Sequence, residues 1–190
     1  MALRACDGSV HGPVAIRYAA ANGARVISIS WGAAASIEAA VKEAIDEVIS
    51  SRPEVVFVAS AGNTIAGGET PCSANTPKYP ASDLRVIGVA GTDPSGALSA
   101  GSFWGTGVSI AAPMEDITTT KSGAYNQARI TNAYETTRGT SFSVPQVSAT
   151  VAMMLTAQPG LSRADVMEIL NVTATPVSYT HLTLPTICSV

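Results

Sequence analysis

Four short apolar runs, Val26–Ile29, Val55–Ala59, Val86–Ala90 and Val108–Ala112, constrain this chain more than anything else in it. Each is rich in β-branched residues, lacks the apolar–polar alternation of a half-exposed strand, and is bounded by Gly, Ser or Pro. Runs of that kind suit strands buried on both faces, as in a parallel sheet with helices on either side. Helical patterns supply those covers. "GPVAIRYAAANG" closes on an Asn-Gly pair suited to a helix C-terminus. "SIEAAVKEAIDEVISS" places Ile37, Val41, Ala44, Ile45 and Val48 on one face, with Ser36 as N-cap. "FSVPQVSATVAMMLTAQPG" is apolar almost all round and reads as a buried helix, and "LSRADVMEIL" opens with the capping-box pair Ser162 and Asp165. The alternation predicts an α/β fold of three layers, αβα, around a mostly parallel sheet with right-handed crossovers. Ligand sites of such sheets lie at the carboxyl ends of the strands. The turns "SWGAAAS", "SAGNTIAGG" and "GTDPSG" fall there, and Tyr125 to Arg138 reads as irregular or hairpin structure leading into Ser141.

A chain of 190 residues suffices for one sizeable domain, and 46% hydrophobic against 13% charged residues excludes a disordered or coiled-coil chain. A net charge of -3 argues against nucleic-acid and anionic-membrane partners, since neither phosphate nor lipid headgroup would be attracted. The longest apolar stretch, "VSATVAMMLTA", is about half the roughly 20 residues that span a bilayer. "MALRACDGSVHG" lacks the basic start and apolar stretch of a signal peptide. Cys6, Cys72 and Cys188 match no zinc or CxxC spacing, which leaves a Cys6–Cys72 disulfide and buried free thiols both open. The last stretch, "PVSYTHLTLPTICSV", is not periodic and is similar to the translation of a sequencing-library adaptor. Residues 1–175 therefore read as one domain and 176–190 as a non-native tail that takes His181 with it, a native extension being the alternative.

The chemistry concentrates in "RGTSFSVPQVSA". Ser141 stands at the start of the long apolar helix, near the positive end of its dipole, with Pro145 in the first turn where proline is tolerated. On these residues alone Ser141 or Ser143 reads as an N-cap sooner than as a nucleophile. The stretch resembles the nucleophile motif of subtilisin-like serine peptidases, whose constrained positions are met by Gly139, Thr140, Ser141, Ser143, Pro145, Ser148 and Ala149. It is not the Gly-x-Ser-x-Gly elbow of α/β-hydrolases, because Ser143 occupies the place of the second glycine. A second match, "VVFVASAGN", is an apolar strand ending in the family's Ala-Gly-Asn. The resemblance implies that the Asn63 amide and the Ser141 backbone N–H donate to the oxyanion of a tetrahedral intermediate. Taken alone, Asn63 would be a turn residue.

"GARVISISWG" is similar to the family strand along which an extended polypeptide substrate pairs. By that likeness Ser30, Trp31 and Gly32 form one wall of the main specificity pocket and Ala61 and Gly62 another. Thr140 joins the substrate-binding set, and the small residues suggest room for a large side chain. "YPAS", "VIGVAGTD", "GSFWG" and "AAPM" resemble further landmarks, although Met114 stands where the family usually has glycine. The resemblance covers about residues 3 to 174.

Subtilisin-like peptidases order their triad Asp, His, Ser, with the first two ahead of the cleft-lining strand. Here His11 in "HGPVA" leads directly into the helix before "VISISWG", with no room for an intervening strand, so it reads as a residue rimming the cleft. Asp7 in "CDG" reads as a turn, and Glu69, Glu115 and Asp116 as solvated loop charges. "NVT" at Asn171 is a glycosylation tripeptide of a kind common by chance. The expectation is the C-terminal part of a peptidase domain, its base and carboxylate lying outside this chain. A non-catalytic peptide-binding pseudopeptidase is the alternative. The resemblance implies a polypeptide substrate, a monomer and a secreted or extracytoplasmic location. It suggests no evident cofactor, and calcium through the family alone, without an acidic loop of the right kind or a metal site here.

Overall fold

The structure is a computed structural model that describes residues 1, 11–64, 76–120 and 134–177. Cys6, Cys72, Cys188, Asp7, Glu69, His181 and most of the 176–190 stretch lie outside the described residues. The elements run α1 (His11–Ala21), β1 (Val26–Ile29), α2 (Glu38–Ser51), β2 (Val56–Ser60), β3 (Ile87–Thr92), β4 (Val108–Pro113), β5 (Ile117–Thr120), β6 (Tyr134–Thr137), α3 (Thr140–Ala157) and α4 (Arg163–Thr173).

The four apolar runs form one parallel sheet in the order β1-β2-β3-β4. Every residue of β2 is buried, because successive side chains point to opposite faces and both faces are covered. Phe57 and Ala59 face α1 and α2, packing with Ile16, Val41, Ala44, Ile45 and Val48. Val56 and Val58 face the other way, with Ile87, Val89, Val144, Val147, Val151, Val166 and Leu170 of β3, α3 and α4. Three layers result, as the alternation predicted. Each fully buried Val, Ile or Phe side chain contributes about 1.5–3 kcal/mol, so the central strand is the main source of cohesion. An antiparallel pair, β5 with β6, stands apart from the sheet and carries the chain back to Gly139.

Local signals mostly act as read. Ser162 accepts from the Asp165 amide while the Asp165 carboxylate accepts from the Ser162 amide, so α4 begins in a complete capping box. Ser36, in contrast, does not cap α2: Ile37 holds the N-cap position with no side-chain cap, because Ile37 packs against the core and sets the start one residue later. The second departure is α3. One face is buried by Val144, Val147, Val151 and Leu155, yet Met153 on the opposite side is 65% exposed. Among the described residues the sheet covers this helix from one side only, which apolarity all round could not reveal.

Candidate active site

The carboxyl ends of β1 and β2 and the N-terminus of α3 converge, bringing Ser30, Asn63 and Ser141 together. The geometry begins with Gly139, whose φ of +136° turns the chain from β6 into α3. A glycine cannot cap with a side chain, and Asn63 supplies the cap from a different element. Its Oδ1 accepts from the Thr140 backbone N–H at 2.8 Å and from the Thr140 hydroxyl at 3.1 Å. With Oδ1 accepting, the amide's remaining donor is Nδ2. The Ser141 amide lies in the first turn of α3, where backbone N–H groups lack intrahelical acceptors. Two donors of the kind an oxyanion hole needs are thus held at one helix terminus.

Thr140 is fully buried, and its hydroxyl also accepts from the Gly62 backbone N–H at 3.3 Å. It therefore ties Gly62 to the first turn of α3. Replacement by the isosteric Thr140→Val should remove both hydroxyl bonds and leave the Gly62 amide unpaired, at about 1–3 kcal/mol. Urea denaturation should show a lower midpoint with unchanged slope, and the Asn63 side-chain amide resonances should shift.

Ser141 and Ser30 are linked reciprocally. The Ser141 hydroxyl donates to the Ser30 carbonyl at 3.0 Å, and the Ser30 hydroxyl donates to the Ser141 carbonyl at 3.0 Å. The second bond has a covalent origin. Pro145 lies at the sixth position of α3 rather than in its first turn, so it cannot donate to the Ser141 carbonyl four residues back. The Ser30 hydroxyl satisfies that acceptor instead. Such a contact bridges 111 residues of sequence and was not legible from the motif.

His11, exposed, opens α1, and an added Cβ on its neighbour Gly12 would stand 2.9 Å from the Trp31 ring. No hydrogen bond joins His11 to Ser141 among the described residues. Glu115 is not the solvated charge expected. It is half-buried and accepts a hydrogen bond from the Ser99 hydroxyl, whereas Asp116 is exposed. Met114, in the family's glycine position, is 2% exposed and fills the space beside Gly91; its amide donates to Thr92 and its carbonyl accepts from Gly139. No three His, Cys, Asp or Glu side chains gather as metal ligands would among the described residues.

Ser30, Trp31 and Gly32 follow the end of β1 and Ala61 and Gly62 the end of β2, and both glycines are closely packed. A Cβ built on Gly32 would lie 2.6 Å from Lys78 Cβ, and one on Gly62 would lie 2.7 Å from Phe103 Cδ2 and 3.0 Å from Lys78 Cγ. Lys78 was not singled out in the sequence, and Phe103 only as part of the landmark "GSFWG". Only their tertiary approach to the two glycines identifies them.

A model of the Subtilase family matches residues 11–185, running into the 176–190 stretch. The chain is 32% identical over 160 residues to Subtilisin DY of Bacillus licheniformis, covering 84% of this chain and 53% of that protein. It is 32% identical over 156 residues to an Extracellular protease of Xanthomonas campestris pv. campestris, covering 81% of this chain and 25% of that one. The fold is similar to the crystal structure of a cold adapted subtilisin-like serine proteinase, with a TM-score of 0.70, 27% identity, and coverage of 90% of this chain and 57% of the other. The chain spans about half the length of the curated relatives it matches.

Proposed function

Because the chain belongs to the subtilase family, we propose that it carries the nucleophile and the oxyanion site of a serine endopeptidase whose base and carboxylate come from residues outside these 190. The observation that carries this reading is the Asn63–Thr140 pair, which holds an amide donor beside the Ser141 loop. Ser141 attacks the scissile carbonyl once a histidine removes its proton, a carboxylate orients that histidine, and Asn63 Nδ2 with the Ser141 amide stabilises the oxyanion. The polypeptide substrate lies extended along Ser30, Trp31 and Gly32, opposite Ala61 and Gly62. A place of action outside the cytoplasm is supported by the name of the Xanthomonas relative.

The test is the protein expressed from its full coding region. Hydrolysis of an unstructured peptide is expected, abolished in Ser141→Ala and reduced about 10²–10³-fold in kcat in Asn63→Leu. Hydrolysis untouched by Ser141→Ala would sink the assignment. A second reading, a peptide-binding pseudopeptidase, is favoured by one observation, the Ser141 hydroxyl donating to a carbonyl rather than to a base. A coding region without an Asp and a His ahead of the cleft strand would select it.

A further inference from the structure

We infer that Glu115 is a positioning residue for the oxyanion site, setting through Ser99 the place of the Asn63 amide; the inference rests on the oxyanion role proposed above. Asn63 is held from two sides. On one side its Oδ1 accepts from the Thr140 amide and hydroxyl at 2.8 and 3.1 Å. Thr140 follows Gly139, whose amide donates to the Met114 carbonyl at 2.8 Å. On the other side Asn63 stands opposite Ser102 in an antiparallel bridge. The Thr64 amide donates to the Gly101 carbonyl at 3.0 Å and the Phe103 amide to the Gly62 carbonyl at 2.9 Å, so both neighbours of Asn63 are tied to the 99–103 segment. The spacing between 99–103 and 114–115 therefore sets how far apart the two anchors of Asn63 stand.

The sheet fixes that spacing only up to its edge. The Ser99 amide donates to the Gly91 carbonyl at 2.9 Å and the Met114 amide to the Thr92 carbonyl at 3.0 Å, at the last two residues of β3. β4 ends at Pro113, and beyond it the Ser99 hydroxyl donates to the Glu115 carboxylate while accepting from the Gly101 amide at 3.1 Å. One side chain thus joins the turn that carries Gly101 to the segment that carries Met114. A Cβ on Gly101 would touch Ser99 Oγ at 3.5 Å, Met114 Cε at 3.6 Å and Thr64 Oγ1 at 4.0 Å, so the three segments meet at that point. Ser99 is buried, and Glu115 is half-buried, lining a cavity of about 480 Å³ that Asn63, Thr64 and Gly139 also line. A carboxylate partly withdrawn from water needs a hydrogen-bond partner. A hydroxyl donating to an ionised acceptor makes a bond about twice as strong as a neutral one. A brace of that kind past the strand ends holds the donor in place before substrate arrives, as an oxyanion site requires.

Two readouts test this, one of them independent of turnover. In the 190-residue chain, Glu115→Ala and Ser99→Ala should both shift the Asn63 side-chain amide resonances and speed hydrogen exchange at the Thr64 amide. Glu115→Gln keeps an acceptor for the Ser99 hydroxyl and should leave the exchange rate as it was. In the protein expressed from its full coding region, Glu115→Ala should lower kcat about tenfold with KM unchanged, since a displaced donor weakens only the transition state. Glu115→Gln should stay within about twofold of the parent. Combined with Asn63→Leu, Glu115→Ala should add less than about twofold, because the group it positions is gone. A merely structural role would lower kcat by the same factor with and without Asn63. That equality, or Asn63 resonances unmoved by Glu115→Ala, would overturn the role of Glu115 and leave the oxyanion reading standing. Resonances that shift while Asn63→Leu leaves kcat unchanged would remove the oxyanion reading, and with it the part of Glu115 in the reaction.

Discussion

A fluorophosphonate probe incubated with the 190-residue chain is expected to leave Ser141 unmodified over a period in which a serine peptidase with an assembled triad is labelled to completion. The reason is where the proton sits. The Ser141 hydroxyl donates to the Ser30 carbonyl at 3.0 Å, and an amide carbonyl cannot take that proton at neutral pH. An unassisted serine hydroxyl is a weak nucleophile. Loss of the base in comparable peptidases lowers turnover by about 10⁶-fold, while binding and the oxyanion donors alone retain roughly 10³–10⁴-fold over water. The oxyanion role proposed for Asn63 and the Ser141 amide allows a slow residual reaction but not stoichiometric labelling within minutes. Intact mass spectrometry reads the outcome directly, with Ser141→Ala as the blank. Rapid labelling abolished by both Ser141→Ala and His11→Ala would show that His11 serves as a base after all. It would then be the notion of a base outside these residues that fails.

How far this site was legible in the sequence depends on the range of each contact. The strands were visible because residues buried on both faces must be apolar without interruption, and Val56 to Ala59 meet that requirement at every position. The α4 cap was visible because Ser162 and Asp165 are three residues apart and bond within one turn. Ser141 and Asn63 were found through short motifs, each of which is a local string. What holds them together was not. Thr140 meets Asn63 across 77 residues, Ser30 meets Ser141 across 111, and Lys78 meets Gly32 and Gly62 only through the folded sheet. The exposed face of α3 was misread for the complementary reason. Apolarity indicates that a surface is suited to burial, but not which described element covers it.

Two glycines on the same strand should respond very differently to the same added methyl group. An ideal Cβ on Gly88 would stand 2.5 Å from the Ala81 carbonyl oxygen and 2.5 Å from the Gly107 carbonyl oxygen. Both obstacles are backbone, at a point where the register between β3 and β4 already shifts, so neither can rotate away. Gly88→Ala should cost about 3 kcal/mol, the upper end of ordinary overpacking, and lower Tm by roughly 6–12 °C. On Gly91 the same Cβ would stand 2.1 Å from Met114 Sδ and 2.3 Å from its Cγ, closer than at Gly88. Distance alone would rank this the worse clash. The obstacle, however, is an unbranched side chain with three rotatable bonds, which can refold around a methyl group. Gly91→Ala should therefore cost less, about 1–2 kcal/mol. Met114→Ala alone should cost about 2–5 kcal/mol, because removing a buried methionine leaves a cavity. In the double variant the alanine methyl at position 91 re-enters that cavity, so the combined loss should fall short of the sum by about 0.5–3 kcal/mol. No partner substitution of that kind exists for Gly88, where the space is bounded by main chain. Thermal melts of the four variants decide the matter. A Gly91→Ala loss equal to that of Gly88→Ala, or strict additivity with Met114→Ala, would mean that Met114 is not the side chain filling the missing methyl's place.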